Sequence, residues 1–209
     1  MRQADPVTDP TSYPPSPWRL HGQLWLSLFR VRRGADPLHP DRPAGLHGVA
    51  LVSYEDPSPL VYRELLCARP RGADVGITDI WVDSPASRAG GRDLWAIPKE
   101  LASFRRTTRG RGDRHASWEV GDEAATWASV EVTDTGPRTP RVPFAFRTRQ
   151  ARDDGSVAVT PVRGTARLGR SHARWTAYDE GPLAWLAGER PLVTLRATDF
   201  AMEFGRTGG

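Results

Sequence analysis

A chain of 209 residues, 38% hydrophobic and 26% charged, is long enough for one well-buried core and has the balance of a globular protein. No apolar run approaches the roughly 20 residues that a membrane-crossing helix needs, and a lone cysteine, Cys67, excludes an internal disulfide framework. The formal charge is +4, and of 29 basic residues only Lys99 is a lysine, leaving 28 arginines (29 − 1).

Taken in chain order, residues 1–17 hold Pro6, Pro10, Pro14, Pro15 and Pro17, which disfavour helix and sheet ladders. They read as an extended proline-rich arm and lack the basic start and apolar stretch of a secretory leader. The expectation is a cytoplasmic protein with a single domain over residues 18–209. Residues 24–31, rich in aromatic and branched side chains, predict a strand. Residues 49–54 and 60–66 predict two more, separated by the turn formers Asp56, Pro57, Ser58 and Pro59. Residues 75–82 continue the sheet. Gly90-Gly91 reads as a turn with a close backbone approach, and Pro98 would start a short helix over residues 98–104, since proline suits the first helical position.

Residues 105–114 concentrate arginine. No zinc-finger spacing, helix-turn-helix pattern or aromatic RNA-binding motif accompanies them, so they read as a solvated hairpin and no nucleic-acid partner is expected. Residues 116–120, 125–132, 142–149, 157–166 and 192–204 predict further strands, with room for a short helix near residues 180–186. The predicted fold is mainly β, an antiparallel barrel or sandwich with few short helices.

Chemistry centres on Lys99. Guanidinium stays protonated, whereas a buried ammonium can lose its proton and become a nucleophile. A free lysine is neutral in only about one molecule in 2,500 at pH 7, and apolar surroundings lower its pKa. Trp95, Ile97 and Trp81 are candidate apolar walls. If residues 98–104 are helical, Lys99 sits at the positive end, where Glu100 meets exposed amides. The neutral amine would attack a carbonyl to give an imine, an electron sink for decarboxylation, retro-aldol cleavage or dehydration. His21, His39, His47, His115 and His172 show no metal-ligand spacing, and no phosphate-binding or dinucleotide-binding glycine motif is present. Neither metal nor cofactor is therefore expected.

The run Gly91-Arg92-Asp93-Leu94-Trp95-Ala96-Ile97-Pro98-Lys99-Glu100-Leu101 resembles the lysine motif of the acetoacetate decarboxylase family, Gly-Arg-Glu, a short spacer and then Pro-Lys-Lys-Leu. Residues 17–31 are similar to the family's opening strand, and Tyr62-Arg63-Glu64 to the segment bearing an active-site glutamate. Ala173-Arg174-Trp175-Thr176 with Gly181-Pro182-Leu183 is similar to its closing segment, so the resemblance runs in order over residues 17–204. It implies the acetoacetate decarboxylase-like fold, a homo-oligomer, Lys99 as nucleophile and Glu64 as the group that orients or protonates the bound substrate. Three departures stand out. Glu100 replaces the second lysine, which in the family lowers the nucleophile's pKa. The family's substrate-side arginine falls on Gln23, and its second glutamate on about Val49.

The sequence thus predicts a Schiff-base-forming lyase acting on a small oxo acid, with Lys99 and Glu64 catalytic and Gln23 and Trp95 contacting substrate. The alternative is a cyclase without an imine, or a small-molecule binding protein, using a tryptophan-lined barrel cavity.

Overall fold

The computed structural model describes residues 10–36, 38–39, 42–110 and 113–205. Among the described residues eleven strands and one α-helix follow one another as β1 (Trp18–Val31), β2 (Gly45–Glu55), β3 (Tyr62–Arg71), β4 (Asp74–Val82), α1 (Pro85–Trp95), β5 (Lys99–Leu101) and β6 (Ser103–Arg109). Then come β7 (His115–Gly121), β8 (Thr126–Asp134), β9 (Arg141–Ala151), β10 (Val157–Ala177) and β11 (Val193–Phe204), with one 3-10 turn at Ala184–Leu186 before the last strand. Every predicted strand is present. No described helix is long and apolar enough to cross a membrane.

The sheet closes on itself. Its order is β11-β1-β2-β3-β4-β9-β10, and β10 also pairs with β11, so these seven strands form a ring. Six of the ring's seams are antiparallel ladders. The seventh, between β4 and β9, has a single parallel bridge at Val75 and Thr148. Side chains complete it: Gln150 bonds both the N–H and the C=O of Ile77, and Arg147 and Arg149 bind Asp74. The 21-residue β10 leaves the ring at Ser171 and pairs onward with β8, which starts the outer layer β8-β7-β6.

Alternation along the strands separates two cores, because successive side chains point to opposite faces. Trp25, Val49, Leu51, Leu65, Cys67 and Trp81 face outward from the ring and pack under β7 and β8 against Trp118, Val130 and Trp175. Trp18, Ala50, Val52, Tyr62, Ile80 and Phe200 face into it. Fully burying side chains of this size stabilises the fold by roughly 1.5–3 kcal/mol each.

Three sequence expectations are corrected here. No helix covers residues 98–104, where Lys99–Leu101 forms β5 in parallel pairing with β4, so Lys99 does not sit at a helix N-terminus. Gly90 and Gly91 lie inside α1 and not in a turn, although the close approach holds: a β-carbon on Gly90 would meet Trp18 at 2.6 Å. Trp81 faces the outer core and forms no wall for Lys99. The arginine-rich segment is the β6–β7 hairpin, of which residues 111 and 112 lie outside the described residues. Of the proline-rich arm, residues 1–9 likewise lie outside them. The part from residue 10 to 17 has no strand or helix and reaches α1, where the Tyr13 hydroxyl donates to Asp93 at 2.7 Å.

Candidate active site

Helix α1 and strand β5 set the position of Lys99. Ser84 caps the helix by accepting from the Ser87 N–H, and Pro85 follows at the first helical turn. The helix ends at Ala96 in the left-handed region (φ 54°), with the N–H of Ala96 on Arg92 O and that of Ile97 on Gly91 O. This reversal turns the chain so that Lys99 pairs with Ile80 of β4. Arg92 Nε donates to Lys99 O at 2.7 Å, and the Arg92 guanidinium also binds Glu100. Lys99 is 4% exposed and points into the ring. Glu100, its neighbour, points outward to Arg92 and Arg88 with a side chain 53% exposed. The carboxylate that follows the lysine therefore lies on the opposite face.

Inside the ring Lys99 Nζ donates to Glu64 Oε2 at 2.9 Å, Ser87 Oγ at 2.9 Å and Tyr62 Oη at 3.3 Å. Tyr54 Oη donates to the other carboxylate oxygen, Glu64 Oε1, at 2.9 Å, and the rings of Tyr54 and Tyr62 stack with centroids 4.3 Å apart. Tyr62 and Glu64 share a face because they are two apart on β3, and Tyr54 lies opposite Tyr62 across the β2–β3 ladder. All of these groups are buried.

Burial pulls the pKa of Lys99 down, but the Glu64 carboxylate and Tyr62 pull the other way and leave it above the ordinary lysine value. Desolvation alone, which the sequence suggested would activate the amine, is thus outweighed by an adjacent anion. Burial also pushes the Tyr62 phenol up to about 12 and the Tyr54 phenol well above its usual value. The resting cluster is a closed ammonium–carboxylate pair ringed by neutral hydroxyls.

The cluster opens on a cavity of about 440 Å³ enclosed by the ring. Among the described lining residues Lys99 and Glu64 are the only charged ones, and Tyr54, Tyr62 and Thr148 the only other polar side chains. Trp95 lines this cavity, packed edge-on against Trp18 at 4.8 Å and Phe204 at 4.7 Å. Gln23 does not line it. Its side chain lies outside the ring, accepting from Arg196 and donating to Glu55 at 2.9 Å, because the pleat of β1 puts it on the face of Trp25. Val49 likewise faces the outer core. Among the described residues no group of three or more His, Cys, Asp or Glu converges as metal ligands.

Ser87 and the two tyrosines were not read as site residues from sequence. The period-two spacing of Tyr62 and Glu64 could have flagged Tyr62. Ser87 had no comparable signal, since it depends on a helix that sequence reading missed.

No family model matches the sequence, and no curated protein does. Solved structures do match the fold. One acetoacetate decarboxylase aligns with TM-score 0.64 at 15% identity, covering 92% of this chain and 88% of that one. The enduracididine biosynthesis enzyme MppR, solved with the condensation product of pyruvate and imidazole 4-carboxaldehyde, aligns with TM-score 0.61 at 15% identity over 92% and 89%. An acetoacetate decarboxylase-like enzyme from Sphingomonas wittichii RW1 aligns with TM-score 0.56 at 14% identity over 97% and 96%. The chain has the acetoacetate decarboxylase-like fold, as the sequence resemblance implied.

Proposed function

We propose that this protein is a Schiff-base-forming lyase that acts on an oxo acid through Lys99. The observation that carries the reading is one buried amine, 2.9 Å from a buried carboxylate, at the wall of a cavity whose described lining is otherwise uncharged and mostly apolar. The fold likeness to acetoacetate decarboxylase supports it.

The paired ammonium is not itself nucleophilic, so the reaction starts with its proton. Lys99 passes a proton to Glu64, a short transfer along an existing hydrogen bond. The neutral amine adds to the substrate carbonyl, one of its protons moves to the new alkoxide, and Glu64 returns the first proton to the same oxygen as water leaves. The iminium then stands where the ammonium stood and inherits its partner. Tyr62 and Ser87 hold Nζ, while Tyr54 binds the far carboxylate oxygen and keeps Glu64 turned towards Lys99. The apolar wall favours loss of charge, because a substrate carboxylate there is desolvated without a second cation. Departure as carbon dioxide removes that charge, which favours decarboxylation over reactions that keep it. We also propose a single domain over residues 18–209 and a cytoplasmic homo-oligomer. No cofactor enters this scheme.

Lys99→Arg tests the reading by preserving the charge and the pairing to Glu64 while removing the nucleophile. Carbon dioxide release from 3-oxo acids should fall to the uncatalysed level. Retained carbon dioxide release would sink the imine mechanism. No release from either protein, with ligand binding or cyclisation that tolerates loss of Lys99, would favour the second reading, a cyclase or binding protein using the same apolar ring.

A further inference from the structure

The cavity extends well beyond the Lys99 cluster. Along β1 its wall runs from Trp18 to Leu26, about 25 Å of strand at roughly 3.3 Å per residue. A volume of about 440 Å³ equals that of about fifteen waters at ~30 Å³ each. An oxo acid of four carbons would fill only a fraction of it. Beyond the cluster the described lining is apolar apart from Thr148, with Leu24, Ile77, Phe144, Ala197 and Met202 among the side chains. Phe146 and Leu168 belong to this lining and are 39% and 37% exposed, so the apolar wall continues to the surface. A carboxylate placed along that stretch would be desolvated with no charged partner, the Thr148 hydroxyl being the one polar side chain of the described lining there. A cavity that is charged at one end only matches a molecule that is charged at one end only.

We propose that the substrate is a 3-oxo acid with an apolar chain, about six to twelve carbons in all. Its oxo and carboxyl end lies at Lys99, and its tail runs toward Phe146 and Leu168. The proposal rests on the Schiff-base reading and names the substrate class for it. After iminium formation the bond between the α-carbon and the carboxylate breaks. Its electron pair moves into the iminium to give a neutral enamine, and carbon dioxide leaves. The α-carbon then takes a proton, drawn from solvent and delivered by Glu64. Water hydrolyses the resulting iminium, releasing a methyl ketone and restoring the Lys99 ammonium. One proton is consumed overall, and no oxidant or reductant is needed.

The test uses the full chain with 3-oxo acids of about four, six, eight, ten and twelve carbons. Carbon dioxide release and the borohydride-reduced adduct on Lys99 are both read. Burying one more methylene should raise kcat/KM about fourfold, with a plateau once the chain fills the cavity. Ala68→Leu, which takes up space in the lining, should move the optimum to shorter chains. Should that variant fail to fold, Leu168→Trp at the exposed rim should have the same effect. Adducts at every length with kcat/KM flat or falling as the chain grows would overturn the substrate class while leaving the imine intact. No adduct at any length would overturn the Schiff-base reading itself, and the proposal with it.

Discussion

A β-carbon on Gly91 would stand 2.7 Å from Lys99 Cδ and 2.9 Å from Cε. The backbone of α1 is therefore one wall of the slot in which the lysine stem lies, and only hydrogen fits between them. The glycine is used for this contact and not for an unusual dihedral, since it lies within the helix.

Gly91→Ala should displace the lysine stem while its head is held by three partners. Turnover should fall about a hundredfold, since misplacing a reacting group by an ångström costs that order. Overpacking should cost about 1–3 kcal/mol of stability, offset by about 1 kcal/mol of helix propensity. Steady-state kinetics beside a denaturant melt checks both. A fully active Gly91→Ala would mean that the slot does not position Lys99.

Glu64→Gln should separate two roles of the carboxylate. With the anion gone, burial is left to act on Lys99, so its pKa should drop below that of the parent protein. Adduct formation with a simple aldehyde should then reach half-maximum at lower pH. Turnover should nevertheless fall about 10²- to 10⁴-fold, because the proton carrier is lost. An unmoved pH profile would show that Glu64 does not set the charge on Lys99.

Glu100→Lys recreates the paired lysines of the resembled family, yet it should leave the pH profile of adduct formation unchanged. Glu100 faces solvent and two arginines, on the far side of β5 from the cavity. Its exposed ion pairs are worth about 0–1 kcal/mol, so stability should change little. A shift of the profile to lower pH would place residue 100 in electrical contact with the site.

Alkaline stability should carry the mark of the same cluster. Lys99, Tyr62 and Tyr54 all have folded pKa values raised above their ordinary ones, Tyr62 to about 12. Each favours the native state fully below its unfolded pKa and loses that contribution as the pH rises through the folded value. Urea midpoints should therefore hold up to about pH 10 and fall between about pH 10 and 12. Tyr62→Phe should make the fall shallower. An equally steep fall in that variant would remove Tyr62 as a contributor.

The strands of the ring were legible because strands announce themselves locally. The aromatic and branched runs of β1, β2 and β4 and the proline-rich turn between β2 and β3 are read within a few residues. Glu64 and Lys99 carried a motif, and the fold brings their side chains to 2.9 Å of one another, while the outward turn of Glu100 follows from the pleat. The rest depends on distant neighbours. Gln23 was assigned by position along β1, but the unbroken alternation that turns Leu20, Leu24 and Leu26 inward places its side chain outside the ring. Helix α1 was missed because its glycines, normally helix-weakening, are kept for contacts with Trp18 and Lys99. Closure of the ring by β10 and β11 joins segments with no shared local signal.

The most direct measurement is borohydride reduction of the protein mixed with a 3-oxo acid, read by intact mass and peptide mapping. Lys99 is the only lysine, so an imine can form only there or at the α-amine. The account predicts a reduced adduct on the peptide containing Lys99, absent from Lys99→Arg. An adduct confined to the N-terminal peptide, or none in folded protein, would contradict it.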